Sequence, residues 1–258
     1  MQRLFIAVLS VLAIAASTDV SAQAQWVVSS AYSENNFHTQ NLRQFVKEVN
    51  SVTRGKLVLT MPSDASLYKD PELKPAVAAN QVQLGEILLA SYASEDPIFE
   101  VDGIPFLATG FADARKLYAA QKPLLEKKLA SQGMILLYSV PWSPQGIYTD
   151  REINTVADMK GLKWPSFSPV TTRFAELLGV QPVTDQVADL AQAMASGRVN
   201  AFISSAAMGY DTKAWVFVKR FYDIQAWLPK NALIMNKKAF DLLDTKTQTA
   251  IFFCGGEG

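Results

Sequence analysis

A two-lobe α/β fold, with parallel-sheet lobes and a hinge between them, is what this 258-residue chain predicts, on three observations. Strand-like and helix-like segments alternate along most of the chain, the pattern of a parallel sheet covered by helices. The alternation is sharpest over residues 158–202, where strand, helix, strand, helix and strand follow one another between glycine and proline stops. Near the middle, a Pro-Trp-Ser-Pro-Gln-Gly run at 141–146 interrupts the pattern with residues that mark boundaries crossed by few contacts. Ligands of such sheets sit at the carboxyl ends of the strands.

In chain order, Arg3, an apolar stretch over 4–16 and the small residues Val20-Ser21-Ala22 predict an exported signal peptide at 1–24, cut after Ala22 or Ala24. Its apolar core is short for a membrane span, so the mature chain is expected to be periplasmic and soluble. Roughly 235 residues remain, enough for one large domain or two small ones. We assign 25–143 to lobe I, 144–230 to lobe II, and 231–258 to a return into lobe I that ends in a truncated helix. The odd Gly-rich ending is consistent with a shifted reading frame or with a natural frayed tail.

The opening unit reads as βαβ: a strand at 26–30, a helix over 38–51 with Leu42, Phe45 and Val49 toward the sheet, and a strand at 56–61 after Arg54-Gly55. A helix over 71–80, a buried strand over 83–92, a helix over 111–133 and a strand over 134–140 complete the expected first lobe. In the second, Lys160-Gly161 leads into a short strand. Ser168-Pro169 and Thr171 start a helix that stops at Gly179; another helix over 189–196 stops at Gly197 before a strand at 199–203. A strand at 232–236 and a helix over 238–250 follow.

Composition excludes several function classes. Lys plus Arg and Asp plus Glu are each 24, so no basic field would attract nucleic acid. One histidine, His38, cannot build a histidine-rich metal site, and one cysteine, Cys254, cannot form an internal disulfide. No phosphate loop, GxSxG, HExxH or CxxC motif occurs, so we expect no enzyme, no cofactor and no metal. The readable chemistry is a set of aromatic and small polar residues where predicted strands end: Tyr32, Asn36, Ser91, Tyr92, Trp142, Gln145, Trp164, Phe167, Ser168, Ser204 and Ser205. Aromatics supply apolar walls and the amides and hydroxyls fix orientation, as in small-molecule pockets; burial against the lobe surface is the competing role for each.

With these residues goes a set of ordered motifs: Phe45-Val46-Lys47-Glu48-Val49 before Gly55-Lys56-Leu57, Asp102-Gly103-Ile104-Pro105-Phe106-Leu107, Ala157-Asp158-Met159-Lys160-Gly161-Leu162-Lys163, the run from Leu190 through Gly197 to Ala201, and Phe221-Tyr222-Asp223. On them the chain resembles the periplasmic solute-binding proteins of TRAP transporters, the DctP-like family. The resemblance implies a monomer whose two α/β lobes close over a small organic acid and which then docks on a membrane permease pair. It also implies an arginine, shortly after the Lys160 to Lys163 run, that clamps the ligand carboxylate. Here that position is Pro165. A second arginine of some members falls near Gln145, and a family asparagine near Ser204. Loss of the clamp means a different, neutral ligand or weakened acid binding, unless Lys163 or Arg173 substitutes. Four other readings share parts of this pattern: the binding protein of an ATP-driven importer, a periplasmic enzyme, a ligand-sensing module, and a nonfunctional truncated remnant.

Overall fold

The computed structural model describes residues 23–62, 67–166, 168–183 and 190–256. The expected signal peptide lies outside these residues except for its last two positions, as does the candidate Phe167.

The first sheet grows from β1 (Ala24–Ser29), α1 (Phe37–Val52) and β2 (Leu57–Thr60), with β1 and β2 parallel. The α1 helix forms because Leu42, Phe45 and Val49 share one face and bury it, while the Asn36 carboxamide accepts the His38 N–H at its start. After α2 (Asp70–Ala78), strand β3 (Leu84–Leu88) pairs parallel to β1. Next come α3 (Phe111–Ser131) and β4 (Met134–Pro141). The chain returns much later as β10 (Lys230–Asn236), which inserts antiparallel between β3 and β4, giving the order β2-β1-β3-β10-β4. Leu73, Val77, Phe99, Leu125 and Leu129 cover one face; Leu42, Phe45, Val49 and Ile251 cover the other.

The second lobe contains β5 (Gln145–Thr149), β6 (Lys163–Pro165), α4 (Pro169–Leu177), β7 (Gln181–Val183), α5 (Leu190–Ala195), β8 (Ala201–Ser205), α6 (Ala206–Asp211) and β9 (Arg220–Tyr222). The β6–β7 pair is parallel, and β5 runs antiparallel to both β8 and β9. Asn200 links the groups: its N–H donates to the Lys163 carbonyl at 3.0 Å and its side-chain oxygen accepts the Lys163 N–H at 2.8 Å. Trp164, Ile147, Ala175, Ile203 and Trp227 form the main core. Gly179 and Gly197 stop their helices with φ of 71° and 72°, a left-handed conformation that glycine adopts without a Cβ penalty.

Four expectations are corrected in detail. The sheets are mixed rather than wholly parallel, because β10 and β5 enter from the opposite lobe and meet their neighbours head to tail. The strand expected over 83–92 ends at Leu88, and Leu89–Tyr92 is a 3-10 turn, since the Asp70 carboxylate takes the Leu88 N–H and the Tyr92 hydroxyl reaches the Asp70 carbonyl. The helix expected over 238–250 is two, α7 (Lys237–Asp241) and α8 (Thr245–Cys254), because Asp244 caps a new start by accepting the Lys246 and Thr247 N–H groups. Strands β5 and β9 were not expected.

Two segments cross between the lobes and pair with each other. Trp142 N–H donates to the Pro229 carbonyl at 2.8 Å, Gln145 N–H to Trp227 at 2.9 Å, and Ala226 N–H to Gln145 at 3.0 Å. The Pro-rich 141–146 run is thus one strand of a double crossing.

Candidate functional site between the sheet edges

The carboxyl ends of β1 and β3 carry a buried polar cluster. Ser30 donates to Glu86 at 2.8 Å, and the same carboxylate lies 3.3 Å from His38 Nδ1, in ion-pair range. The β1–α1 loop lays Tyr32 against His38, and Trp142, at the end of β4, packs against both, with ring centroids 4.3 Å from His38 and 5.3 Å from Tyr32. Asn231, in β10, accepts the Trp142 indole N–H at 3.0 Å and the Tyr32 hydroxyl at 3.4 Å. Burial pushes the Tyr32 phenol well up from its ordinary value, with the Asp70 and Glu86 charges adding, so it stays a neutral donor.

Among the described residues, direct bonds join this lobe to the second. Asn36 donates to the Asp211 carboxylate at the end of α6 at 2.9 Å, and Glu100 accepts the Val170 N–H in the first turn of α4 at 2.9 Å. A carboxylate is favoured at a helix N-terminus, where free N–H groups converge. Phe106 meets Phe174 edge-on at 6.2 Å, and the Phe106 N–H donates to Ala226. On the second lobe this edge is made by the ends of β6, β7 and β8 and the start of β5, which is where Pro165, Ser204, Ser205 and Gln145 lie.

The structure distributes the expected residues unevenly. Tyr32, Asn36 and Trp142 come together at the first-lobe edge. Gln145 is buried on the facing strand, its amide donating to the Ser143 carbonyl at 3.1 Å, and Ser204 pairs with Gly146. Tyr92 is a correction: its ring belongs to the first-lobe core, and its hydroxyl is spent on Asp70 and Lys74 because that end of the ring meets the start of α2. Ser91 beside it bonds Asp70. Trp164 is likewise fully buried in the second core, stacked near Phe174, since an apolar ring at the middle of β6 gains most by facing the helix. Ser168 and Ser205 use their hydroxyls to cap α4 and α6. Arg173 points outward and pairs with Glu176, so it does not stand in for a clamp at Pro165.

Sequence reasoning missed His38 as a site residue, along with Glu86, Asn231, Asp211 and Glu100. The available cue was that His38 lies in the opening turn of α1, directly after the loop that carries Tyr32 and Asn36 from the end of β1. The open concavities elsewhere, on α3 around Ala112 and Lys116 and on the outer second lobe around Tyr210 and Trp215, do not join the two lobes.

Two α/β lobes, a double crossing, and polar groups converging from facing strand edges define a solute-binding protein of the clamshell class. Residues 28–252 match the bacterial extracellular solute-binding protein family 7 model, and the chain belongs to that family. Among solved structures it is similar to DctP6, a Bordetella pertussis extracytoplasmic solute receptor binding pyroglutamic acid, at 58% identity and a TM-score of 0.87 over 91% of this chain and 78% of that one. It is also similar to DctP7 of the same organism, which binds the same acid, at 39% identity and 0.88 over the same shares. A marine metagenome TRAP protein specific for pyroglutamate, from an unidentified microbe, matches at 38% and 0.86, again over 91% and 78%.

Proposed function

We propose that this chain is a periplasmic receptor that captures a five-membered cyclic amide acid of the pyroglutamate type and presents it, unchanged, to a TRAP membrane permease. The observation that carries the reading is the 58% identity to a pyroglutamate receptor across nearly the whole described chain. The lobes, divided as 25–143 with 231–258 and 144–230, close about the paired crossing at 142–145 and 226–229, and ligand contacts from both sides favour the closed state. Transport needs no bond making, and the protein acts as a monomer after removal of its signal peptide.

Calorimetry with pyroglutamate, glucuronate and a dicarboxylate tests the reading, with native mass spectrometry of protein purified from its host. Selective pyroglutamate binding, recovered unaltered, is expected; turnover or preference for a sugar acid would overturn it. Pro165 favours a second reading, a neutral solute, because no cation occupies the position of the clamp. Pro165→Arg separates the two. A gain in pyroglutamate affinity supports an acid site weakened by proline, and no gain places the ligand's acid group elsewhere.

A further inference from the structure

Within that receptor reading, three buried side-chain nitrogens of Asn231 and His38 have no hydrogen-bond partner among the described residues; His38 Nδ1 has the Glu86 carboxylate 3.3 Å away, which leaves Asn231 Nδ2 and His38 Nε2 as the two unmatched atoms. Their chemistry is set by their neighbours. An indole N–H can only donate, so the Asn231 atom facing Trp142 is the carbonyl oxygen, and Nδ2 on the other side is a donor. A carboxylate at Nδ1 of His38 selects the tautomer with its proton there, which leaves Nε2 an acceptor in the neutral ring. Both side chains are essentially inaccessible, 1% and 0% exposed. Leaving such groups unmatched is costly, which is why they are rare unless a ligand completes them.

The two atoms belong to one cluster. Trp142 touches both residues, its ring against the imidazole and its N–H on Asn231, and Tyr32 does the same from the other side. Phe37 adds a third ring 4.1 Å from His38. One acceptor and one donor therefore flank the same indole inside an aromatic box. A lactam ring holds its amide cis, so that N–H and C=O leave the same edge of the molecule side by side. An open-chain trans amide sends them in opposite directions.

We propose that His38 and Asn231 read the amide edge of a cyclic amide, Nε2 accepting the ligand N–H and Nδ2 donating to its carbonyl, with the rings of Phe37, Tyr32 and Trp142 enclosing the carbon skeleton. Selectivity then resides in the amide and not in the acid, in keeping with Pro165 on the facing lobe. Ligand enters when the lobes part, since closure seals both atoms.

The test is calorimetry of the full mature chain with three probes: pyroglutamate, 2-pyrrolidinone, which has the lactam and no acid, and cyclopentanecarboxylate, which has the acid and no amide. Pyroglutamate and 2-pyrrolidinone are expected to bind, with cyclopentanecarboxylate at least tenfold weaker than pyroglutamate. His38→Phe, which keeps the aromatic packing, is expected to weaken both lactams ten- to hundredfold and to leave cyclopentanecarboxylate unchanged. If that variant does not fold, Asn231→Asp, which removes the donor, takes its place, and the probe series on the unaltered chain still decides. Equal affinity for pyroglutamate and cyclopentanecarboxylate, or no binding of 2-pyrrolidinone, overturns the amide reading while the receptor reading stands. No binding of any probe overturns both.

Discussion

Gly209 lies in helix α6, where glycine ordinarily costs about 0.5–1 kcal/mol relative to alanine, so propensity alone says that Gly209→Ala stabilises. Packing says the reverse. A Cβ at this position would stand 2.0 Å from the Tyr148 hydroxyl oxygen and 2.6 Å from its ring carbon Cζ. Tyr148 has nowhere to go: it is 7% exposed, stacks on Phe202 at 4.5 Å and 4°, and donates to the Ser205 carbonyl at 3.1 Å. Displacing it sacrifices that buried hydrogen bond, about 1–3 kcal/mol with the carbonyl left unmatched. Overpacking the core adds about 1–3 kcal/mol. Less the helix gain, the net loss is about 1–5 kcal/mol, centred near 3. With an m-value of about 3 kcal/mol/M for a chain of this size, the urea midpoint drops by about 1 M. Tyr148→Leu removes the colliding atoms, so adding Gly209→Ala to it is expected to cost nothing further. Equal or greater stability of Gly209→Ala, or additive losses in the double variant, would refute the reasoning.

Asp102 supplies a pH dependence of definite sign. Burial pushes its carboxyl up from 3.8 to about 6, only partly offset by the Lys230 ammonium 3.6 Å away. The folded chain therefore holds this proton more tightly than the unfolded chain, and the stability it contributes is full below pH 3.8 and lost as pH rises through about 6. Urea midpoints followed from pH 4.5 to 6.5 are expected to fall, and Asp102→Asn to remove that component; an unchanged slope in the variant would count against it. Across the cleft, Asp211→Ala deletes the bond from Asn36 and should cost about 1 kcal/mol of closure, or about fivefold in ligand affinity, with a larger radius of gyration by X-ray scattering. Glu100→Ala removes the acceptor at the start of α4 and is expected to add independently to that effect; a double variant no worse than either single would show that the two bonds do not both hold the closed form.

What the sequence by itself determined was local and periodic. The apolar face of α1, the Ser168 to Gly179 span of α4 and the Gly197 stop were all readable, because capping, glycine φ and helical spacing act within a few residues. The ordered motifs carried the family for the same reason. Only the tertiary structure decided which polar residues meet. Asn231 sits in β10 beside Val140 of β4 and Leu88 of β3, 91 and 143 residues away in the chain, and it reaches Trp142 only because β10 inserts antiparallel between those strands. Tyr92 and Trp164 looked like walls in the sequence and proved to be core, since which face of a strand or turn is buried depends on the helix that covers it. Side-chain direction across a sheet edge is a property of the assembled layers, so His38 facing Glu86 and Asp211 facing Asn36 had no local trace to read.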